Sequence, residues 1–256
     1  MSVSSHAVVE LDDVSVRFAS GFGPARRSVQ AMSRISFDIA PGETLGLVGE
    51  SGSGKSTTGA VVLGLQRPDD GVVRFEGAPL ARSLRSRAGR IQAVLQHPRW
   101  AIDPRSSVLD AVLEPLLVHE RRSPATERRA RDMLEAVGLP GSFDQRRPHQ
   151  LSGGQLQRVS VARALVTHPA FVVFDEAVSA LDVSVQAQIL NLIHDLQREH
   201  AFAALFISHD LAAVRYISHR VAVMRKGEIV ELAPTAVFYD SPAHPYSRQL
   251  FQELSS

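Results

Sequence analysis

The stretch "GESGSGKST", Gly49 to Thr57, is the part of this 256-residue chain whose reading decides the fold. Gly49, Gly54, Lys55 and Ser56 fit the spacing G-x-x-x-x-G-K-[ST]. The glycines let the backbone turn tightly, so that successive amides converge on phosphate oxygens while the following helix presents its positive end. A lysine at this place reaches the β and γ phosphates, and the serine hydroxyl suits Mg²⁺. A plain glycine turn is the bland alternative. The flanks argue against it: "TLGLVG", entered from the Pro41-Gly42 turn, is a short apolar strand, and Lys55 to Leu65 favours a helix ended by "PDDG" at Pro68 to Gly71. The nucleotide contacts expected here come from Gly49, Glu50, Ser51, Gly52, Ser53, Gly54, Lys55, Ser56 and Thr57.

Working outward, Val8 to Phe18 and Ile35 to Ile39 read as strands, with "ASGFGPARRSVQ" as a loop between them. After "IQAVLQ" at Ile91 to Gln96, the segment from about Asp103 to Gln150 shows helical periods and no convincing strand, so a helical subdomain inserted over 97–150 is expected. From Phe171 the alternation returns: "FVVFDE", a helix from Val183 to His200, "AALFIS", a helix from Leu211, then "VAVMR" and "EIVEL". Strands alternating with such helices indicate a mostly parallel sheet covered on both faces. The arginines of "ARSLRSRAGR" read as a solvated loop face.

The totals bound the class. Apolar residues make up 44% of the chain, enough for a substantial core. The 28 Lys and Arg nearly cancel the 27 Asp and Glu, so overall charge supplies no reason to expect nucleic acid as the main partner. No apolar run approaches the roughly 18 residues of a membrane span, and the N-terminus, with Glu10, Asp12 and Asp13, lacks the order of a signal peptide. A soluble protein that stays where it is made is expected. With no cysteine, disulfides and thiolate metal sites are excluded.

"VVFDE" at Val172 to Glu176 ends an apolar strand in two carboxylates, at the sheet edge where ligands of such folds gather. An Asp-Glu pair there is often just a helix start; the upstream phosphate loop favours chemistry. Asp175 then holds Mg²⁺, commonly through water, and Glu176 orients or deprotonates an attacking water.

"LSGGQLQR" at Leu151 to Arg158, between the phosphate loop and the aspartate-glutamate strand, carries a resemblance to the ATP-binding cassette (ABC) ATPases over nearly the whole chain. The resemblance implies an α/β fold: a P-loop NTPase (RecA-like) core with a mostly parallel sheet, an N-terminal antiparallel β subdomain and the inserted α-helical subdomain, in one domain over 1–256. It implies MgATP as ligand and a head-to-tail pair of cassettes, each ATP lying between one phosphate loop and the partner's signature, here Leu151, Ser152, Gly153, Gly154 and Gln155. A helix start at Ser152 with free amides at Gly153 and Gly154 suits that use, although Ser-Gly-Gly also reads as a plain helix cap. By the same resemblance Gln96 touches Mg²⁺ or the attacking water, His209 in "FISHD" contacts the γ-phosphate, "SALD" ending at Asp182 meets its counterpart across the dimer, and Phe18 stacks on adenine unless it is core.

Three further runs are similar to the oligopeptide, dipeptide and nickel importer ATPases: "LQHPRWAIDPR" followed by "EPL", "DVSVQAQILNL", and the 234–256 tail containing "SPAHPYSRQLF". Ala177-Val178 stands where many cassettes have Pro-Thr, and Asp103 where Asn is commoner. The subfamily implies a second and different cassette, two transmembrane permease subunits, indirectly an extracytoplasmic solute-binding protein, and a place on the cytoplasmic face of the membrane. A soluble ABC ATPase acting on nucleic acid or protein, or an exporter cassette, are the other readings. The solute is not written in this chain.

Overall fold

A computed structural model describes residues 7–20 and 27–254. Its strands are β1 (Val9–Ser20), β2 (Arg27–Ile39), β3 (Thr44–Val48), β4 (Asp70–Phe75), β5 (Ala78–Pro79), β6 (Ile91–Leu95), β7 (Phe171–Asp175), β8 (Ala203–Ile207), β9 (Arg220–Arg225) and β10 (Glu228–Pro234). The helices are α1 (Lys55–Val62), α2 (Leu84–Arg87), α3 (Pro98–Ala101), α4 (Val108–Leu113), α5 (Pro124–Ala136), α6 (Gly153–Leu165), α7 (Val183–His200), α8 (Leu211–Ile217), α9 (Thr235–Asp240) and α10 (Pro245–Leu254). They fall into two compact units, one made of residues 1–82 and 203–256, the other of 83–202.

In the first unit an antiparallel sheet runs β2-β1-β4-β5. A second set runs β10-β9-β3-β8, in which β3 pairs in parallel with both β8 and β9, while β10 is antiparallel. Leu45, Leu47, Leu205, Phe206, Ile207, Val221 and Val223 are completely buried. Strands buried on both faces read as continuous apolar runs, which is why "TLGLV" and "AALFI" lack alternation. The parallel register Leu47↔Ile207 has a functional consequence. It brings the carboxyl end of β3, which feeds the glycine loop, beside that of β8, which feeds His209.

The second unit holds the parallel pair β6-β7 and most of the helices. Between residues 97 and 150 the described structure has helices α3, α4 and α5 with short 3₁₀ turns, and no strand. α5 starts with a capping box, the Ser123 hydroxyl accepting from the Thr126 amide at 3.2 Å and the Thr126 hydroxyl from the Ser123 amide at 2.9 Å. α7 begins where Asp182 Oδ1 accepts from the Val185 amide at 3.0 Å, and it ends at Ala201 in the left-handed region with Arg198 and His200 in its last turn.

Three expectations need correction. All the described residues of the loop "ASGFGPARRSVQ" are strand: β1 and β2 pair out to Ser20↔Arg27, and residues 21–26 lie outside the described residues. Hairpin pairing satisfies backbone groups regardless of the weak strand preference of Ser and Arg. The hairpin β4-β5 went unrecognised because "GVVRF" follows a turn-rich stretch and keeps only Val73 buried. α1 stops at Val62 rather than Leu65, because Gly64 adopts φ 66°. "ARSLRSRAGR" is not wholly solvated either: Arg87 on α2 is buried.

Candidate functional site

The glycine loop is held from several sides. Gly54 sits at φ 112° as the residue preceding α1, and a Cβ there would lie 2.3 Å from the Ala31 carbonyl oxygen, so only glycine fits. Lys55, itself buried, donates from Nζ to the carbonyls of Gly49 (2.7 Å) and Glu50 (2.8 Å). The Ser53 amide donates to the Glu50 carbonyl at 3.2 Å, and the Ser53 carbonyl accepts from the Gly227 amide at 2.8 Å. Thr58 Oγ1 donates to the Gly54 carbonyl at 3.1 Å. Among the described residues the buried Ser53 hydroxyl has no hydrogen-bond partner, while Ser56 is exposed. This is a cradle of tied carbonyls with amides left for an anion, and it fits a phosphate chain.

His209 is exposed one residue beyond buried Ser208. Asp210 accepts from the amides of Ala212 (2.8 Å) and Ala213 (3.1 Å), which caps α8 and fixes the backbone immediately after His209. Phe18 is 45% exposed on β1, opposite Val29, so the core reading of this aromatic is wrong.

In the second unit Asp175 ends β7 and Glu176 follows it at φ 48°, a left-handed conformation uncommon for a residue with a side chain. Such strain collects at functional positions. Gln96 Nε2 donates to Ser179 Oγ at 3.2 Å, and Ser179 Oγ donates to the Glu176 carbonyl at 2.9 Å. The structure therefore joins the glutamine after β6, the serine of "SALD" and the backbone of Glu176. The sequence points to Gln96, to Glu176 and, in "SALD" at Ser179 to Asp182, to the serine itself, but not to the serine's place between the other two. A groove of about 250 Å³ lies beside these residues, lined by Gln96, Gly153, Leu156, Ala177 and Leu181 among others.

The signature turns out to be a capping box. Ser152 Oγ accepts from the Gln155 amide at 3.3 Å, and Gln155 Oε1 accepts from the Ser152 amide at 3.0 Å. Leu151 is buried and anchors the turn, whereas Ser152 and Gly153 are exposed. A Cβ on Gly154 would stand 2.6 Å from Val185 Cγ1 on α7, while one on Gly153 meets only Leu181 Cδ2 at 3.7 Å. Gly154→Val is therefore expected to destabilise the protein by about 1–3 kcal/mol through overpacking. Denaturant titration checks it, and unchanged stability would show that α6 and α7 are free to separate. Asp182, exposed, spends one carboxylate oxygen on capping α7.

Among the described residues no group of three or more His, Asp or Glu side chains is arranged to hold a metal ion. Ser56, exposed at the start of α1, and Asp175, at the end of β7, each carry an oxygen ligand of the kind Mg²⁺ takes. No helix among these residues is long and apolar enough to cross a membrane.

The family model described as ABC transporter matches residues 32–179. The chain belongs to the ABC transporter family. The model spans the glycine loop, the signature and the aspartate-glutamate strand of the cassette. The chain is 47% identical, over 99% of its length, to the glutathione import ATP-binding protein GsiA of Pectobacterium atrosepticum, and 49% identical, over 88%, to that of Escherichia coli O6:H1. It spans only 42% and 37% of those two relatives. Among solved structures, the ATP-binding cassette MJ0796, as a post-hydrolysis dimer bound to ADP and Pi, matches with TM-score 0.77 and 28% identity over 89% of this chain and 98% of that one. The cbiO1 protein of Clostridium perfringens, part of the ABC transporter complex cbiONQ, shares the fold with TM-score 0.81 at 22% identity over 98% of this chain and 96% of that one. The ABC ATPase fold expected from the sequence is the fold observed.

Proposed function

We propose that this cassette is the ATP-hydrolysing subunit of an importer for small peptides or nickel- or metal-chelate-type solutes, and that ATP closes it against a second cassette. The observation that carries this reading is the glycine loop: Lys55 and the tied carbonyls of Gly49 and Glu50 leave an amide-lined turn at the start of α1. The likeness to a cassette seen as a dimer with ADP and Pi supports hydrolysis and pairing. The likeness to ATP-binding proteins named for import of glutathione, itself a small peptide, supports the solute class.

In this reading Lys55 and the loop 49–57, through amides other than those of Glu50 and Ser53, bind the phosphates, and Phe18 stacks on the adenine. Ser56, Asp175 and Gln96 would hold Mg²⁺, which would neutralise charge on the phosphates. Glu176 accepts a proton from the attacking water, His209 steadies the γ-phosphate, and Gln96 passes the state of the site to the helical segment 97–150. The exposed turn of Ser152, Gly153 and Gly154 reaches the partner cassette's ATP, and Asp182 lies along the same interface. A different cassette as partner, two membrane-embedded permeases and an extracytoplasmic binding protein complete the machine, which places this chain on the cytoplasmic face of the membrane.

Because Gly153 has room for a side chain, Gly153→Asp is expected to fold and to bind ATP as the isolated subunit, but not to form an ATP-dependent dimer, since its carboxylate would face the γ-phosphate. Size-exclusion chromatography with and without ATP reads this out, and a normal dimer removes the signature from its role. The reading as a whole is tested by purifying the tagged chain from membranes with its companions and measuring ATP hydrolysis stimulated by the neighbouring binding protein loaded with glutathione, dipeptides or nickel. Companions with no multi-span member would refute it.

A further inference from the structure

We propose that Tyr246, in the C-terminal tail, is a positioning residue for the phosphate loop and thereby sets how tightly the cassette grips ATP. The Glu50 amide donates to Tyr246 Oη at 3.1 Å, a contact between residues 196 apart in sequence. Burial raises the pKa of this phenol, so the hydroxyl stays protonated while its oxygen accepts from the Glu50 amide. One hydroxyl of the tail thus holds the backbone of one residue of the loop.

The tail is built to hold that hydroxyl in place. Tyr246 is 2% exposed, with the Arg225 guanidinium 4.5 Å from its ring centre. Its amide donates to His244 Nδ1 at 3.1 Å, and the Glu231 carboxylate accepts from the amides of Ala243 (2.8 Å) and His244 (3.0 Å). Further along, the rings of Phe238, Tyr239 and Phe251 pack with centres 5.1 to 5.2 Å apart, and Tyr239 Oη donates to the carbonyl of Leu211, two residues beyond His209.

The consequence follows from what else Glu50 does. Its carbonyl and that of Gly49 receive the two hydrogen bonds of Lys55 Nζ. The Glu50 residue is therefore gripped at its amide by the tail and at its carbonyl by the lysine that faces the phosphates. Without the phenol, the residue loses one of these restraints, Lys55 loses fixed partners, and phosphate binding must order the loop as well as occupy it.

This inference rests on the reading of the loop as an ATP site, and the test separates the two. Tyr246→Phe keeps the ring packing and removes only the hydroxyl. It is expected to lower the melting temperature by no more than a few degrees, to exchange the amide hydrogens of residues 49–57 faster, and to bind ATP about fivefold more weakly, the loss of one hydrogen bond of about 1 kcal/mol. Tyr246→Ala should lower the melting temperature much further, so that Phe restores most of the stability without restoring affinity, a split that a merely structural tail would not produce. If Tyr246→Phe binds ATP within twofold of wild type with unchanged exchange while Lys55→Ala abolishes binding, the ATP reading stands and this inference falls. A wild-type chain that binds no ATP brings down both.

Discussion

Glu176→Gln is expected to bind ATP as wild type does and to lower turnover by about 10²- to 10⁴-fold, the usual worth of a positioned general base. The amide is nearly isosteric with the carboxylate, so the left-handed backbone at φ 48° and the hydrogen bond from Ser179 to the Glu176 carbonyl should survive the change. What disappears is the ability to accept a proton from water. ATP then remains unspent, and dimers closed by it accumulate instead of separating. Phosphate release under saturating ATP measures the first effect and size-exclusion chromatography the second. Turnover within threefold of wild type would strip Glu176 of its assigned role.

For Lys55→Ala, the expected loss is in binding itself. Hydrogen bonds to charged groups contribute about 1.5–3 kcal/mol, so ATP affinity should fall by roughly 10- to 100-fold. The variant also strips the Gly49 and Glu50 carbonyls of their donor, so the loop that remains is less ordered than the native one. Equilibrium binding of ATP to the isolated subunit reads the effect, with the melting temperature in the absence of nucleotide recorded alongside. Unchanged affinity would mean that the glycine loop is a structural turn and that the function proposed from it is wrong.

The chemistry was legible before the fold because it resides in local patterns. A glycine loop needs its residue types at fixed offsets, since each glycine answers a backbone demand within a few bonds, as Gly54 does against the Ala31 carbonyl. The capping box at Ser152 and Gln155 is written in four consecutive positions, and the apolar strand ending in Asp175 and Glu176 in a run as local. Long helices with clear starts were equally readable: α7 runs from Val183 to His200 as its sequence predicts, and α6 starts directly after Ser152.

Sequence alone therefore determined the family, the class of ligand and most candidate residues, because those depend on neighbours along the chain. Tertiary structure decided what depends on neighbours in space. Cross-strand pairing turned the expected loop after Phe18 into the continuation of two strands, and a parallel register set the exits of β3 and β8 side by side. Ser179 became the link between Gln96 and Glu176 only once residues 83 positions apart had met. Tyr246 is the extreme case: nothing in "AHPYSR" foretells a hydrogen bond to Glu50, since the partner of a buried phenol is chosen by packing and not by spacing.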